Sequence, residues 1–357
     1  MQAAILGTGF IANTHAQALR ALGVGIKCAV DRDIEAARDF SDKWGVKEYG
    51  GDLEPLFSED IDCVHVCTQP ALHYDTLLRL MEKGKNIICE KPLCLEYDPA
   101  ARLADEAEKR GLICAVNFNV RYHMACQRAR KLIGDGSFGP IYLIHGSYLQ
   151  EYHTLPAPAG WRYSPELSGK MRAVTEIGSH WFDLAQYLSG KKITAVSATF
   201  GNFNPKRYIE NGLMYREPIG EGGAPVTVDT EDAAAVSLRF EDGALGSVLL
   251  SEITHGRQNR LSLEVTGYNK SLWWNSEENN TFTVAEKGGP TQTEIFAFGN
   301  GFTDTFRDMF GAVYGAIEKK SPDERLYPGM RNAARNVLIC GAAYESASSG
   351  SKWVELN

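Results

Sequence analysis

Three short segments carry residue types that could do chemistry together. The first is Gly7-Thr8-Gly9-Phe10-Ile11-Ala12. In such a loop the leading glycine makes a tight turn out of a strand, and the second glycine lets backbone approach a pyrophosphate. A small third residue, here Ala12, lets the following helix pack closely on the sheet. The second is Glu90-Lys91-Pro92. Proline fixes φ and lacks a donor, so it ends a strand and directs the chain away. Lys91 is then held at the strand's carboxyl end, where an ammonium can hydrogen-bond a substrate oxygen and stabilise developing negative charge. A plain ion pair at a strand end explains the same dipeptide. The third is Thr175-Glu176-Ile177-Gly178-Ser179-His180-Trp181-Phe182-Asp183. On an α-helix Glu176, His180 and Asp183 share a face. A carboxylate one turn from a histidine can orient the ring, and that ring could take a hydroxyl proton. A solvated polar helix face is the alternative. Gly178 weighs against it, because an interior helix glycine costs about 1 kcal/mol and points to close approach by something.

The elements that must position these groups follow from periodicity. Apolar runs at Ala3–Gly7, Ile26–Asp31, Cys63–Thr68, Asn86–Glu90 and Ile113–Phe118 alternate with helical patterns near Ile11–Leu22, Ile34–Trp44, Ala71–Glu82 and Ala100–Arg110. Runs apolar at nearly every position suit strands covered on both faces. The alternation predicts a doubly wound parallel sheet, a Rossmann-type α/β domain, over residues 1–120. Ligands bind such sheets at the carboxyl ends of the strands. The cofactor candidates are therefore Gly7, Thr8, Gly9, Phe10, Ile11, Asp31, Arg32, Thr68, Gln69, Pro70, His73, Glu90, Lys91 and Asn119. Asp31 sits where a carboxylate hydrogen-bonds the adenosine ribose, and it favours NAD because it would repel the extra phosphate of NADP. Arg32 could stack on adenine or bind that phosphate, which keeps NADP as the lesser alternative.

After about residue 120 the pattern changes. A helix is expected over Met124–Ile133, a strand over Ile141–Gln150 and a helix near Thr175–Leu188. Residues 151–170, rich in Pro, Gly and aromatics, read as a long loop over a site. Strand-like runs follow at Ile193–Gly201, Asp232–Phe240, Ala244–Thr254, Arg260–Gly267 and Ser271–Asn275, with Asp242-Gly243 as a hairpin turn. For residues 121–357, a second domain, antiparallel β structure is the simplest reading. Two helices end it: Phe302, Phe306, Met309, Phe310, Val313 and Ile317 make an apolar stripe on the first, and Met330–Ala347 is the second. These C-terminal helices are expected to pack back on the first domain.

Composition sets outer limits. The 357 residues are 44% hydrophobic with a formal net charge of -8, which argues against nucleic acid as a main partner. No apolar run reaches the roughly 20 residues needed to span a bilayer, and the N-terminus enters a strand without signal-peptide features. A cytoplasmic, non-membrane protein is expected. Of the eight cysteines, Cys63 and Cys67 frame Val64-His65-Val66 in an apolar run. A buried strand is preferred there over a metal site, and no metal is expected.

The three segments together, in this order and spacing, resemble the glucose–fructose oxidoreductase / inositol dehydrogenase (Gfo/Idh/MocA) family over essentially the whole chain. The resemblance implies a Rossmann domain followed by an α/β domain with an open, mostly antiparallel sheet, NAD-dependent oxidation of a secondary hydroxyl on a sugar, glycoside or polyol, and assembly as a homodimer or homotetramer through that sheet. It places the family's lysine on Lys91 and its histidine on His180, both also touching substrate. Glu176 stands where the family usually has Asp and is the third catalytic candidate, with a changed or lesser role. Gly146-Ser147-Tyr148-Leu149-Gln150, Trp161-Arg162, Thr230-Glu231-Asp232-Ala233 and Gly256-Arg257-Gln258-Asn259-Arg260-Leu261 resemble the levoglucosan dehydrogenase / glycoside 3-dehydrogenase branch, which oxidises C3 of a pyranoside. Arg121, Tyr122, Trp161 and Arg162 are further substrate candidates, with His153 and Tyr152 behind them. Two alternatives stand beside this reading. One is an NAD-recycling glycosidase acting by transient C3 oxidation and elimination; the other is a non-catalytic NAD-binding sensor.

Overall fold

A computed structural model describes residues 1–220 and 223–356. The chain divides into two units: Met1–Tyr122 with Asn300–Val337, and His123–Gly299 with the chain from Leu338 onward.

The first unit alternates β1 (Gln2–Leu6), α1 (Phe10–Ala21), β2 (Gly25–Val30), α2 (Ile34–Trp44), β3 (Glu48–Gly50), β4 (Cys63–Val66), α3 (His73–Glu82), β5 (Asn86–Cys89), α4 (Tyr97–Arg110) and β6 (Cys114–Val116). The strands lie in the order β3-β2-β1-β4-β5-β6, every pair parallel. This is the doubly wound order that reverses direction beside β1. The short edge strand β3 has no clear apolar run and escapes the sequence pattern. β4 and β6 are buried at every residue, as strands covered on both faces must be. The ends of α2 follow capping chemistry: Asp33 accepts from the backbone N–H groups of Glu35 and Ala36, and Gly45 closes the helix at φ 69°.

One sheet face packs Val64, Val66, Ile87 and Leu103 with Met330, Ala333 and Ala334. The other packs Ile5 and Leu19 with Phe306, Met309, Phe310 and Val313 of the helix Phe302–Glu318. Each of those large side chains contributes about 1.5–3 kcal/mol by burial, an upper bound against a compact unfolded chain. Phe302, assigned to the same stripe, is exposed because it lies in the first turn of the helix.

The second unit holds a nine-stranded sheet in the order Gln292–Ile295, Thr281–Glu286, Lys270–Asn275, Arg260–Gly267, Ile141–Leu149, Leu245–Ser251, Ala233–Phe240, Ile193–Gly201 and Val354–Glu355. All pairs are antiparallel except Ile141–Leu149 with Leu245–Ser251. Burial alternates strictly along Ala233–Phe240, so one face is covered and the other open. Asp242 and Gly243 both take positive φ, 66° and 85°, within the three-residue connection Glu241–Gly243, which Phe240 N–H closes by donating to Ala244 O at 2.8 Å. The segment 151–170 is not a bare loop. Ala157–Pro158 pairs with Leu213–Tyr215 at the edge of a second, four-stranded sheet, and Pro165–Ser168 forms one helical turn.

The expected helix near Thr175–Leu188 begins differently from expectation. Val174–Gly178 is a π-turn, and only Ser179–Ser189 is α-helical. The wider turn breaks the α spacing from Glu176 to His180. Gly178 is explained by packing: a Cβ there would lie 2.7 Å from Leu250 Cδ1. Among the described residues no helix is long and apolar enough to cross a membrane.

Candidate functional site

The dinucleotide loop is shaped by its glycines. Gly7 has φ 85°, and a Cβ on it would lie 2.9 Å from the Cys67 carbonyl group, so any side chain is excluded by backbone and space together. Gly9 differs: a Cβ there would meet nothing within 4 Å. Gly9 precedes α1, whose N-terminus has no side-chain cap and carries no acidic residue in its first turn. Uncapped N–H groups with room in front of them suit a phosphate. Asp31 braces this loop, its Oδ2 accepting from Thr8 N at 2.7 Å and Thr8 Oγ1 at 3.0 Å. Arg32 and Phe10 are exposed and Ile11 half-buried. These features fit a dinucleotide, held by the N–H groups opening α1 with Asp31 at the end of β2.

The next strand ends carry the other candidates. Thr68 and Gln69 are half-buried and Pro70 is buried. His73 is fully buried, with Nδ1 3.0 Å from Pro92 O and Nε2 3.1 Å from Thr68 O. It ties the loop after β4 to the turn after β5. It braces two loops that carry cofactor candidates. Asn119 is likewise buried and donates to Thr305 Oγ1 at 2.7 Å, tying its turn to the helix Phe302–Glu318. Tyr122, half-buried, packs against the core of the first unit, its hydroxyl 3.5 Å from Leu326 O. Arg121 is buried in the same turn, Asn119–Tyr122.

Beneath Lys91 runs a buried chain that sequence reasoning missed. Glu90 Oε1 accepts from Asn117 Nδ2 at 2.5 Å and lies 2.9 Å from His15 Nε2. His15 Nδ1 is 2.9 Å from His65 Nδ1, and His65 Nε2 is 3.0 Å from the Tyr314 hydroxyl. One proton lies between the two Nδ1 atoms. If His15 donates it, the ring is an imidazolium against Glu90. If His65 donates, its Nε2 accepts from Tyr314. Burial alone would push the Glu90 carboxyl up, but His15, Asn117 and Lys91 outweigh it and hold it below the usual carboxylate range. Burial, with His15 alongside, pulls His65 far down and keeps it neutral. Lys91 thus stands next to a buried carboxylate at the carboxyl edge of the sheet, as the Glu-Lys-Pro order suggested.

In the second unit His180 and Trp161 are half-buried and Arg162 is exposed. Arg162 Nε donates to Glu176 Oε2 at 3.0 Å and its guanidinium stacks on the Trp161 ring, so these three are brought together. Behind them lies a cluster invisible in sequence. Arg172, fully buried, donates from Nε to Glu252 Oε2 at 2.7 Å and from Nη2 to Asp232 Oδ1 at 2.5 Å. Arg207 donates to the same Asp232 oxygen at 2.8 Å. Glu231 accepts from the backbone N–H groups of Arg172 and Val174. Burial nevertheless pushes the Glu231 carboxyl up to about 7. Burial and the neighbouring Glu176 push Glu252 well up, against the pull of Arg172. His153 is driven down to about 3 by burial and by Arg172, Arg162 and Arg207, so it is neutral. Its Nδ1 lies 2.5 Å from the Tyr163 hydroxyl. Thr230-Glu231-Asp232 was legible as a motif, but its partner Arg172 lies 60 residues away and is joined to it only by the fold.

All eight cysteines are unpaired thiols, and Cys63 is fully buried in β4, in line with the strand reading. Burial pushes its thiol well up, where it is inert.

The doubly wound sheet, the open glycine loop and Asp31 define a nicotinamide-dependent oxidoreductase. Residues 1–118 match the family model for the oxidoreductase family NAD-binding Rossmann fold, and residues 126–273 match that for the GFO/IDH/MocA C-terminal domain. The chain belongs to the Gfo/Idh/MocA oxidoreductase family. It is 29% identical over 294 residues to levoglucosan dehydrogenase of Pseudarthrobacter phenanthrenivorans, covering 79% of this chain and 75% of that protein. It is 26% identical over 313 residues to myo-inositol 2-dehydrogenase of Thermotoga maritima, covering 87% and 85%. Among solved structures, levoglucosan dehydrogenase in complex with NADH and levoglucosan superposes with a TM-score of 0.89 at 26% identity, over 100% of this chain and 99% of that one. The protein is thus an NAD-binding dehydrogenase of a sugar and polyol family.

Proposed function

We propose that the enzyme oxidises a secondary hydroxyl of a pyranoside, at C3, with NAD as the acceptor. The observation that carries the reading is the Glu90-Lys91 pair: a lysine on the carboxyl edge of an NAD-binding sheet, beside a carboxylate kept ionised by His15, Asn117 and Lys91 itself. An ionised neighbour favours the ammonium form, which can donate to a substrate oxygen and stabilise charge as it develops there. His180 takes the hydroxyl proton as general base. NAD, when bound, supplies the hydride acceptor, and its chemistry is its own. Trp161 and Arg162 suit a sugar face and its hydroxyls, and Glu176 acts on them through Arg162. The C3 position rests on the likeness to levoglucosan dehydrogenase and on the motifs shared with its branch. A homodimer or homotetramer fits the open face of the large sheet, where Leu245 and Leu249 are exposed.

Lys91→Ala and His180→Ala test the assignment. Each is expected to lower turnover on the best pyranoside by about 10²–10⁴-fold, with NADH affinity by fluorescence titration little changed. Undiminished turnover in either variant overturns that residue's role.

A further inference from the structure

We propose that His153, Glu176 and Glu252 form a binding site for a divalent transition-metal ion of the zinc or manganese type. Three elements of the second unit bring them together. Ile141–Leu149 and Leu245–Ser251 are adjacent parallel strands, so the chain leaves both at the same edge. Glu252 directly follows the second of them. His153 follows the first, and its backbone N–H donates to Glu252 O at 3.0 Å. Glu176 comes from the π-turn Val174–Gly178. One ligand atom from each residue lies within 4.8 Å of the other two. Two ligands about 2.1 Å from one ion can be at most about 4.2 Å apart, so small side-chain rotations close the site.

The donor set is prepared as metal ligands are. His153 uses Nδ1 on the Tyr163 hydroxyl at 2.5 Å, which fixes the ring and leaves Nε2 facing Glu252, 3.9 Å from Oε2. Glu252 is fully buried. Its Oε2 is held by Arg172, while its Oε1 has no hydrogen-bond partner among the described residues. A buried carboxylate oxygen without a donor is costly unless something positive meets it. Glu176 is oriented by Arg162 at 3.0 Å. A purely structural polar knot would tie off both oxygens of its most buried carboxylate, and this one does not. A nitrogen and two carboxylates suit zinc or manganese, and three protein ligands leave a position for water or a substrate oxygen. The proposal stands apart from the hydride-transfer reading, because its test reads metal content and not turnover.

The full chain, treated with chelator and dialysed, is equilibrated with MnCl2 or ZnCl2, and bound metal is measured by mass spectrometry. About one ion per chain is expected. His153→Ala and Glu252→Gln are each expected to weaken binding at least tenfold, and Tyr163→Phe about tenfold through the freed histidine ring. Glu176→Gln, at a partly exposed position, supplies the same test if Glu252→Gln does not fold by circular dichroism. No ion bound above the buffer level, or equal binding by the folded variants, overturns the proposal.

Discussion

In the first unit Tyr314, His65, His15 and Glu90 run in a line, each buried polar atom meeting the next, and the line ends beside Lys91. In the second unit Arg172 is a hub, reaching Glu252, Asp232 and the Glu231 backbone at once. The line carries one carboxylate, and His15, Asn117 and Lys91 keep it ionised. The hub gathers several carboxylates, and burial pushes two of them, Glu231 and Glu252, toward the protonated form. Among the described residues the line leaves Asn117 Oδ1 without a partner, and the hub leaves Arg172 Nη1, Arg207 Nη1 and Glu252 Oε1. A line tolerates loss at its end, whereas a hub fails at its centre and retains room for another charge.

The largest effect follows from removing that centre. Arg172→Met strips Asp232 and Glu252 of a shared buried donor and should cost about 3–5 kcal/mol in urea unfolding. A loss below about 1 kcal/mol would mean that the hub is not what holds the cluster. Next comes the opposite pH behaviour of the two clusters. The Glu231 carboxyl keeps its proton to about 7 when folded and releases it near 4.5 when unfolded. Its contribution is therefore full below 4.5 and lost as pH rises to about 7, about 3 kcal/mol at most. Glu90 runs the other way, its contribution being lost as pH falls through its depressed folded pKa. Unfolding free energies at pH 5 and 7.5 should show this decline in the wild type and a flatter profile in Glu231→Gln. Identical slopes would contradict the buried, protonated Glu231. The smallest effect lies at the end of the line. Tyr314→Phe leaves His65 Nε2 without its partner and should cost about 1–2 kcal/mol. A cost equal to that of Arg172→Met would erase the distinction between line and hub.

The line and the hub also differ in how far they could be read from sequence. The shape of the Gly7–Gly9 loop and its brace by Asp31 lie close to one strand–turn–helix unit, where spacing is set by local geometry, so both were legible. Lys91 was legible for the same reason, through Pro92. His15 and His65 were not, because His15 lies in α1 and His65 in β4, and only sheet order makes them neighbours. The hub depends on register over longer distances: Arg172 meets Glu252 across 80 residues. His73 and Asn119 sit at strand ends as ligand contacts would, yet both turn inward to tie loops and helices. Position in a motif located them, but their inward partners lie on other elements and were not legible. The π-turn before His180 was not foreseen, although Val174–Gly178 holds three β-branched residues and a glycine, all weak α-helix formers. Gly178 did mark a close approach, by Leu250.

The central claim is hydride transfer from C3 of a pyranoside to NAD. A methyl glucoside deuterated only at C3, incubated with the enzyme and NAD, tests it directly by the mass of the NADH formed. The account predicts NADH carrying one deuterium, with a slower rate than from the unlabelled sugar. NADH without deuterium would move the reaction to another carbon. Tight NADH binding with no NADH formed from any pyranoside or polyol would contradict the claim.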